Sequence, residues 1–291
     1  MQQNATKIEF TSSENWVILS PIELSIKRKI EAIGTPLSQW DIQINYGIKT
    51  GFNDAFIIST EKRNEILSAC ADDAERERTA ELIRPILRGR DIKRYGYDWA
   101  NLWLINTHNG VKGKFERIHI EDYPAVKAHL DQYWDKLAKR SDKGDTPYNL
   151  RNCAYVEDFI KPKVIWKIIG CNINFCYDEK QMMCNNAVNI MVGERSKLIQ
   201  FVGLMNSKLF DWYLKLTTEA EVQGGGIQLY VTTLEKTKLK LNFPYSLTNI
   251  IYKRICNEIE EDILDNEVFK EYKLTNEEIH FIINNKRINR E

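Results

Sequence analysis

The chain has 291 residues, 43% hydrophobic and 28% charged, with 41 basic and 41 acidic side chains and a formal net charge of zero. This is the composition of a globular protein with a sizeable core, and it excludes a disordered polyelectrolyte and an indiscriminate nucleic-acid coat. The balance is uneven: from Asn257 onward ten acids stand against five bases, which leaves 36 bases and 31 acids in the preceding body.

The opening "MQQNATKIEF" has no basic region followed by an apolar stretch, and nowhere do about 18 apolar residues run together. Neither a signal peptide nor a membrane span is expected, and a cytoplasmic protein is. Residues 1–15 read as a tail. Ser20, Pro21 and Glu23 form a capping box ahead of Ile22, Ile26, Ile30 and Ile33, a helical repeat that Gly34 ends. In "NYGIKTGFNDAFII" (45–58) a Lys-Thr pair lies between two glycines. A phosphate-cradling loop needs the glycine directly before the lysine, so this stretch is a polar turn between short strands at 41–46 and 55–59. A charged helix is predicted over 61–83, a strand over 99–105 and a helix over 121–140. Three apolar runs, "KVIWKII", "INFCYD" and "AVNIMV", predict a small antiparallel set, with "DEKQ" in the turn between the last two. Residues 196–216 carry one broad apolar face. A Gly-Gly-Gly turn, a strand "IQLYV" and helices over 248–264 and from Thr275 close the chain. Without a regular βαβ rhythm the elements predict an α+β fold of small mixed sheets with flanking helices.

The densest chemical signal is "RPILRGRDIKRYGYDW" (84–99), with Arg84, Arg88, Arg90, Lys93 and Arg94 against one acid, and Tyr95, Tyr97 and Trp99 close behind. Guanidinium forks bind phosphates and guanine edges, aromatics stack, and Gly89 allows close backbone approach. A solvated charged loop is the alternative. "EAEVQGGGIQL" (219–229) offers Gln223 and Gln228, amides able to pair with adenine, around three glycines; a hairpin connection would use the same residues. Enzyme motifs are weaker. "LNFPYS" lacks the first proline of an adenine-methyltransferase Asn-Pro-Pro-Tyr motif, and Asp158 with Asp178 and Lys180 resembles a metal-nuclease centre only loosely. Cys171, Cys176 and Cys184 lack zinc spacing, and the six cysteines read as reduced core residues. His108, His119, His129 and His280 flank no obvious nucleophile.

In order, "INYGIKTGFNDAFII", "ILRGRDIKRYGYDWANLWLI", "DKGDTPYNLRNCAYVEDFIKPKVIW" and "LIQFVGLMNSKLFDWYLK" resemble the successive signatures of the TaqI-like C-terminal specificity domain of type IIG restriction-modification enzymes and adenine-specific DNA methyltransferases. The resemblance covers residues 16–245, with 246–291 a helical C-terminal segment. It implies a non-catalytic chain that reads double-stranded DNA and carries no cofactor. A methyltransferase domain or subunit would act with S-adenosylmethionine, and a parent nuclease with magnesium. Lys49, Thr50, Asn53, Arg84, Arg88, Arg90, Lys93, Arg94, Gln223 and Gln228 are the candidate DNA contacts. Of these, Arg84, Arg88, Lys93 and Arg94 suit phosphates, while Asn53, Arg90, Gln223 and Gln228 suit base edges. The rival readings are a stand-alone metal-dependent nuclease and a subunit that docks a methyltransferase through its acidic C-terminal helices.

Overall fold

A computed structural model describes residues 19–172, 174–217, 221–222, 226–240 and 242–285. The architecture is α+β, in layers around a four-stranded antiparallel sheet. Its spatial order is Ile42–Tyr46, Val188–Gly193, Lys163–Lys167, Phe175–Asp178. Both faces of this central sheet are buried. Val164, Trp166, Phe175, Tyr177 and Met191 point into one core, while Ile165, Cys176, Val188 and Ile190 point into another. Period-two alternation therefore sorts residues between two apolar cores rather than between core and water, which is why these strands read as continuous hydrophobic runs.

The first core is covered by helices. Arg195–Asn206 lies on the sheet, with Phe201 edge-on to Phe175 at 5.2 Å. Pro21–Ile33, Lys208–Thr217, Tyr245–Ile255, Glu261–Glu271 and Asn276–Ile283 surround it and contribute Ile26, Phe210, Ile251, Phe269 and Ile282. The second core is closed by another sheet, ordered Ile57–Ser59, Leu102–Ile105, Ile83–Leu87, Met183–Cys184, with the last pair parallel. Helices Thr60–Ser68, Asp73–Leu82 and Pro124–Asp131 pack on its outside. A small antiparallel sheet of Glu221–Val222, Gly226–Gln228 and Ile169–Gly170 follows the end of the central strand Lys163–Lys167.

The capping boxes at Ser20 and Thr275 form as predicted. Several long helices are divided. The one predicted over 61–83 is two helices and a strand, because Asp72 accepts a hydrogen bond from the Glu75 N–H and starts a new helix. The 196–216 helix breaks at Ser207, whose ψ of 154° is extended. The 248–264 helix breaks before Glu260, with Asn257 at φ +60°. "IQLYV" ends as a strand at Gln228, and a helix follows from Val231. The third apolar run is not joined to the second by a tight turn: Met183–Cys184 lies between them and crosses to the other sheet. The cysteines also divide, with Cys70, Cys176 and Cys184 buried but Cys171 and Cys256 exposed. The tail of residues 1–15 lies outside the described residues.

Candidate functional site

Three separate chain segments meet at the turn of residues 185–187. The Ile48 N–H donates to the Cys184 carbonyl at 2.7 Å, and the Asn185 N–H donates to Leu87 at 3.0 Å. The Ile168 N–H donates to Ala187 at 3.1 Å. The ends of three strands are thereby gathered at one rim, and each end carries a cation: Lys49, Arg90 and Lys167. Asn186 and Ala187 are exposed between them.

The glycines of "GIKTG" make this seam possible. A Cβ on Gly47 would stand 1.9 Å from the Asn185 carbonyl oxygen, so only glycine lets the two backbones approach. Gly51 has φ +68° and lies against Asp142. Thr50 is buried and donates its hydroxyl to the Asn53 side chain at 2.6 Å, while its carbonyl accepts from the buried Arg140 guanidinium. Lys49 and Asn53 are exposed. The stretch is thus a docked turn that presents Lys49, with Thr50 turned inward.

The basic segment 84–94 does not act as one patch. Arg84 is the second residue of its strand and donates to the Gln181 side chain at 3.0 Å, roughly 13 Å of strand away from Arg88. Arg88 is clasped by Asp91 through Nε at 3.0 Å and Nη2 at 2.8 Å, and this carboxylate holds the guanidinium pKa above its ordinary value. Arg94 reaches the other way, pairing with Glu261 at 2.5 Å and donating to the Asn206 carbonyl. That leaves Arg90, which is exposed, and Lys93, loosely paired with Asp98 at 3.6 Å. Gly89 lies against Ala187, with a notional Cβ 3.4 Å from that residue's Cβ, so its close approach is to the protein's own rim.

Lys167 and Asn186 join this rim, although sequence reasoning passed them over. Lys167 ends a core strand, and its arm lies over Gly170: a Cβ there would be 2.4 Å from the lysine Cε. Burial, reinforced by the nearby Lys93 ammonium, holds the Lys167 pKa below its ordinary value. Arg90 and Lys167 form no ion pair among the described residues. Gln228 pairs across the small sheet with Ile169, two residues beyond Lys167. Gln223 lies outside the described residues. The Asn185-Asn186 pair between apolar runs was the available sign of an exposed turn.

The carboxylates of the nuclease reading serve the architecture. Asp178 and Lys163 form an ion pair at 2.5 Å with both side chains 0% exposed. Asp178 also accepts from the Lys180 and Met182 N–H groups at 3.0 Å each and from the Tyr97 hydroxyl at 3.1 Å. Asp158 is buried, accepting from Lys161 at 2.7 Å and Asn45 at 2.8 Å. Asp178 thus accepts two hydrogen bonds on each oxygen, Asp158 accepts one on each, and Lys180 is exposed. Among the described residues no three His, Cys, Asp or Glu side chains come together around a metal position. An open cleft of about 920 Å³ lies elsewhere, at the 109–119 hairpin, lined by Lys112, Lys114, Arg117 and His119 among others. Glu116 and Asp145 share this lining, and Arg117 pairs with Asp145 at 3.2 Å.

The solved type IIG restriction endonuclease BpuSI is similar over 90% of this chain at 14% identity and a TM-score of 0.56. The type IIL restriction-modification enzyme MmeI, solved in complex with DNA, is similar over 85% at 13% identity and a TM-score of 0.57. The chain spans about a third of each, 31% and 35%, and at such identity the likeness is one of fold. No curated protein sequence matches significantly. The model of the TaqI-like C-terminal specificity domain matches residues 84–237. That span includes the Arg90 loop, the Lys167 strand end and the small sheet with Gln228, and the chain belongs to the TaqI-like C-terminal specificity domain family, whose role is DNA target recognition.

Proposed function

We propose that this chain is the sequence-reading part of a larger restriction-modification enzyme whose other domains methylate adenine with S-adenosylmethionine, any accompanying nuclease using magnesium. The observation that supports this reading is the rim. Lys49, Arg90, Lys93 and Lys167 come from three distant segments that meet at the turn carrying Asn186, with Gln228 on the small sheet that continues from Lys167. Cations fix a duplex through its phosphates without regard to sequence, while amides and an arginine fork discriminate base edges. Arg88 and Arg94 are committed to internal ion pairs and Arg84 to the Gln181 amide at the far end of its strand, so among the described residues the rim is where unpaired positive charge meets groups able to read bases.

In this reading Lys49, Lys93 and Lys167 hold phosphates, and Arg90, Asn186 and Gln228 face the groove. The methyltransferase domain lies on the opposite side of the duplex and receives the flipped adenine. Selection from a randomised duplex pool at two salt concentrations tests the reading. One short motif should be enriched and should survive added salt, while total binding falls with salt as phosphate contacts are lost. Binding without any motif at either salt would refute sequence reading by this chain.

A further inference from the structure

Ile169 and Gln228 are direct register partners on antiparallel strands, so their side chains leave the same face of the small sheet with Cβ atoms about 5 Å apart. That face is outward. Ile227 and Leu229 are buried, whereas Ile169 is 54% exposed and Tyr230, next on the outward side, is 50% exposed. The Gln228 amide makes no side-chain hydrogen bond with another described residue. An isoleucine open to water beside a free amide contributes little to folding, since its apolar surface stays hydrated. The Lys167 arm lies over Gly170, the partner of Ile227, and so borders the opposite face of the same small sheet.

We propose that Ile169 and Gln228 together read one A·T base pair in the major groove, a reading that rests on the DNA-recognition role above. A glutamine amide carries one donor and one acceptor, which match the N6 amino group and N7 of adenine bidentately. The apolar group that a base pair presents in the major groove is the thymine C5 methyl, and it belongs to the same pair. Guanine in place of adenine offers Gln228 two acceptors, and its cytosine partner offers Ile169 no methyl. Both side chains therefore select the same base pair, from positions one base pair can span. The groove admits a β-ribbon, and the Lys167 ammonium on the other side of that ribbon supplies the charge complement for a phosphate of the groove wall.

The full chain and its Gln228→Ala, Gln228→Glu and Ile169→Ala variants are compared by selection from the randomised pool and by titration of the enriched duplex, with circular dichroism confirming that each is folded. Gln228→Ala should relax one A·T position and weaken binding there roughly 5- to 150-fold. Gln228→Glu should move preference at that position toward cytosine, whose amino group a carboxylate accepts. Replacing the thymine of that pair by uracil should weaken the wild type about fourfold, the effect of one methyl group, and leave Ile169→Ala unchanged. A motif in which no A·T position responds to Gln228, or equal uracil effects in wild type and Ile169→Ala, would overturn the pairing while leaving DNA reading intact. Absence of any enriched motif for the wild type would instead overturn the DNA-reading role, and this assignment with it.

Discussion

Truncation of Asp178 to alanine separates an architectural carboxylate from a catalytic one. In the native chain the Lys163 ammonium donates to Asp178 at 2.5 Å and to the Phe159 carbonyl at 2.6 Å, with no water access to either side chain. Burial, and then the Asp178 charge, hold the Tyr97 phenol pKa far above its ordinary value, so it stays a donor to that carboxylate. Asp178→Ala leaves a buried ammonium with one carbonyl and leaves two backbone N–H groups and a phenol without their acceptor. Breaking such a pair costs about 3–5 kcal/mol, a large share of the roughly 5–15 kcal/mol that holds a domain folded. The melting midpoint should fall by roughly 5–8 °C. The double variant Lys163→Met with Asp178→Leu removes the unpaired buried charge at similar volume and should recover that part of the loss, while the Lys180 and Met182 N–H groups and the Tyr97 hydroxyl stay without their acceptor. Circular dichroism melts of the single and double variants are the assay, with plasmid integrity in magnesium followed in parallel. An Asp178→Ala chain that melts like the wild type would refute the reasoning, and one that also lost a magnesium-dependent cleavage would make Asp178 catalytic.

Arg140 donates to the carbonyls of Thr50, Asp142, Pro147 and Asn149 and sits 4.6 Å above the Phe56 ring, so Arg140→Met should cost about 2–4 kcal/mol and raise amide exchange at residues 47–51 selectively. Burial holds the His129 pKa below its ordinary 6.5, and its Nε2–H donates to Ala55 at 3.0 Å. Its contribution is therefore complete above pH 6.5 and is lost as pH falls toward the folded pKa; stability measured against pH should decline there, and His129→Gln should flatten the decline. Gly47→Ala places a methyl against the Asn185 carbonyl, so the rim shifts and duplex affinity should fall more than thermal stability does, read by titration and melting of one preparation. Deleting residues 246–291 removes Ile251, Leu264, Phe269, Tyr272 and Ile282 from the first core and should leave a chain without a cooperative melt. Docking of a partner on the acidic helices is better tested by reversing exposed charges such as Glu277.

The α+β class, the caps at Ser20 and Thr275 and the antiparallel pairing of the three apolar runs were legible because each rests on local chemistry. Helix lengths were not. Asp72 and Ser207 are ordinary polar residues in sequence, and they divide helices because the chain must turn to cover a core the sequence does not display. The rim was half legible. Arg90, Lys93 and Gln228 stood out by type, yet their neighbours Arg84, Arg88 and Arg94 looked equally suited until Gln181, Asp91 and Glu261 claimed them, two of these partners lying 97 and 167 positions away in sequence. Lys167 was hidden for the opposite reason. It terminates a buried strand, and its exposure depends on Gly170 having no side chain to displace its arm. The glycines of "GIKTG" invited a ligand, and one of them instead accommodates the Asn185 carbonyl.

A sheet buried on both faces has only its strand ends and edges to offer a ligand. Here the ends of Ile42–Tyr46, Ile83–Leu87 and Lys163–Lys167 open toward the same turn, and each continues into a short segment ending in a cation or an amide. The backbone bonds that gather these segments, at Ile48, Asn185 and Ile168, involve no reading side chain, so the frame is independent of the residues it presents. On the proposed reading, exchanging Gln228, Ile169 or Asn186 should alter what the rim contacts without opening either core, whereas exchanging Gly47 or Lys163 should disturb the frame itself. A scaffold divided in this way can change its DNA target by surface substitutions worth a few kcal/mol in recognition and close to nothing in folding. The residues whose loss unfolds the chain and the residues whose loss changes its target should thus form separate sets, joined only where glycine holds a presenting segment against the frame.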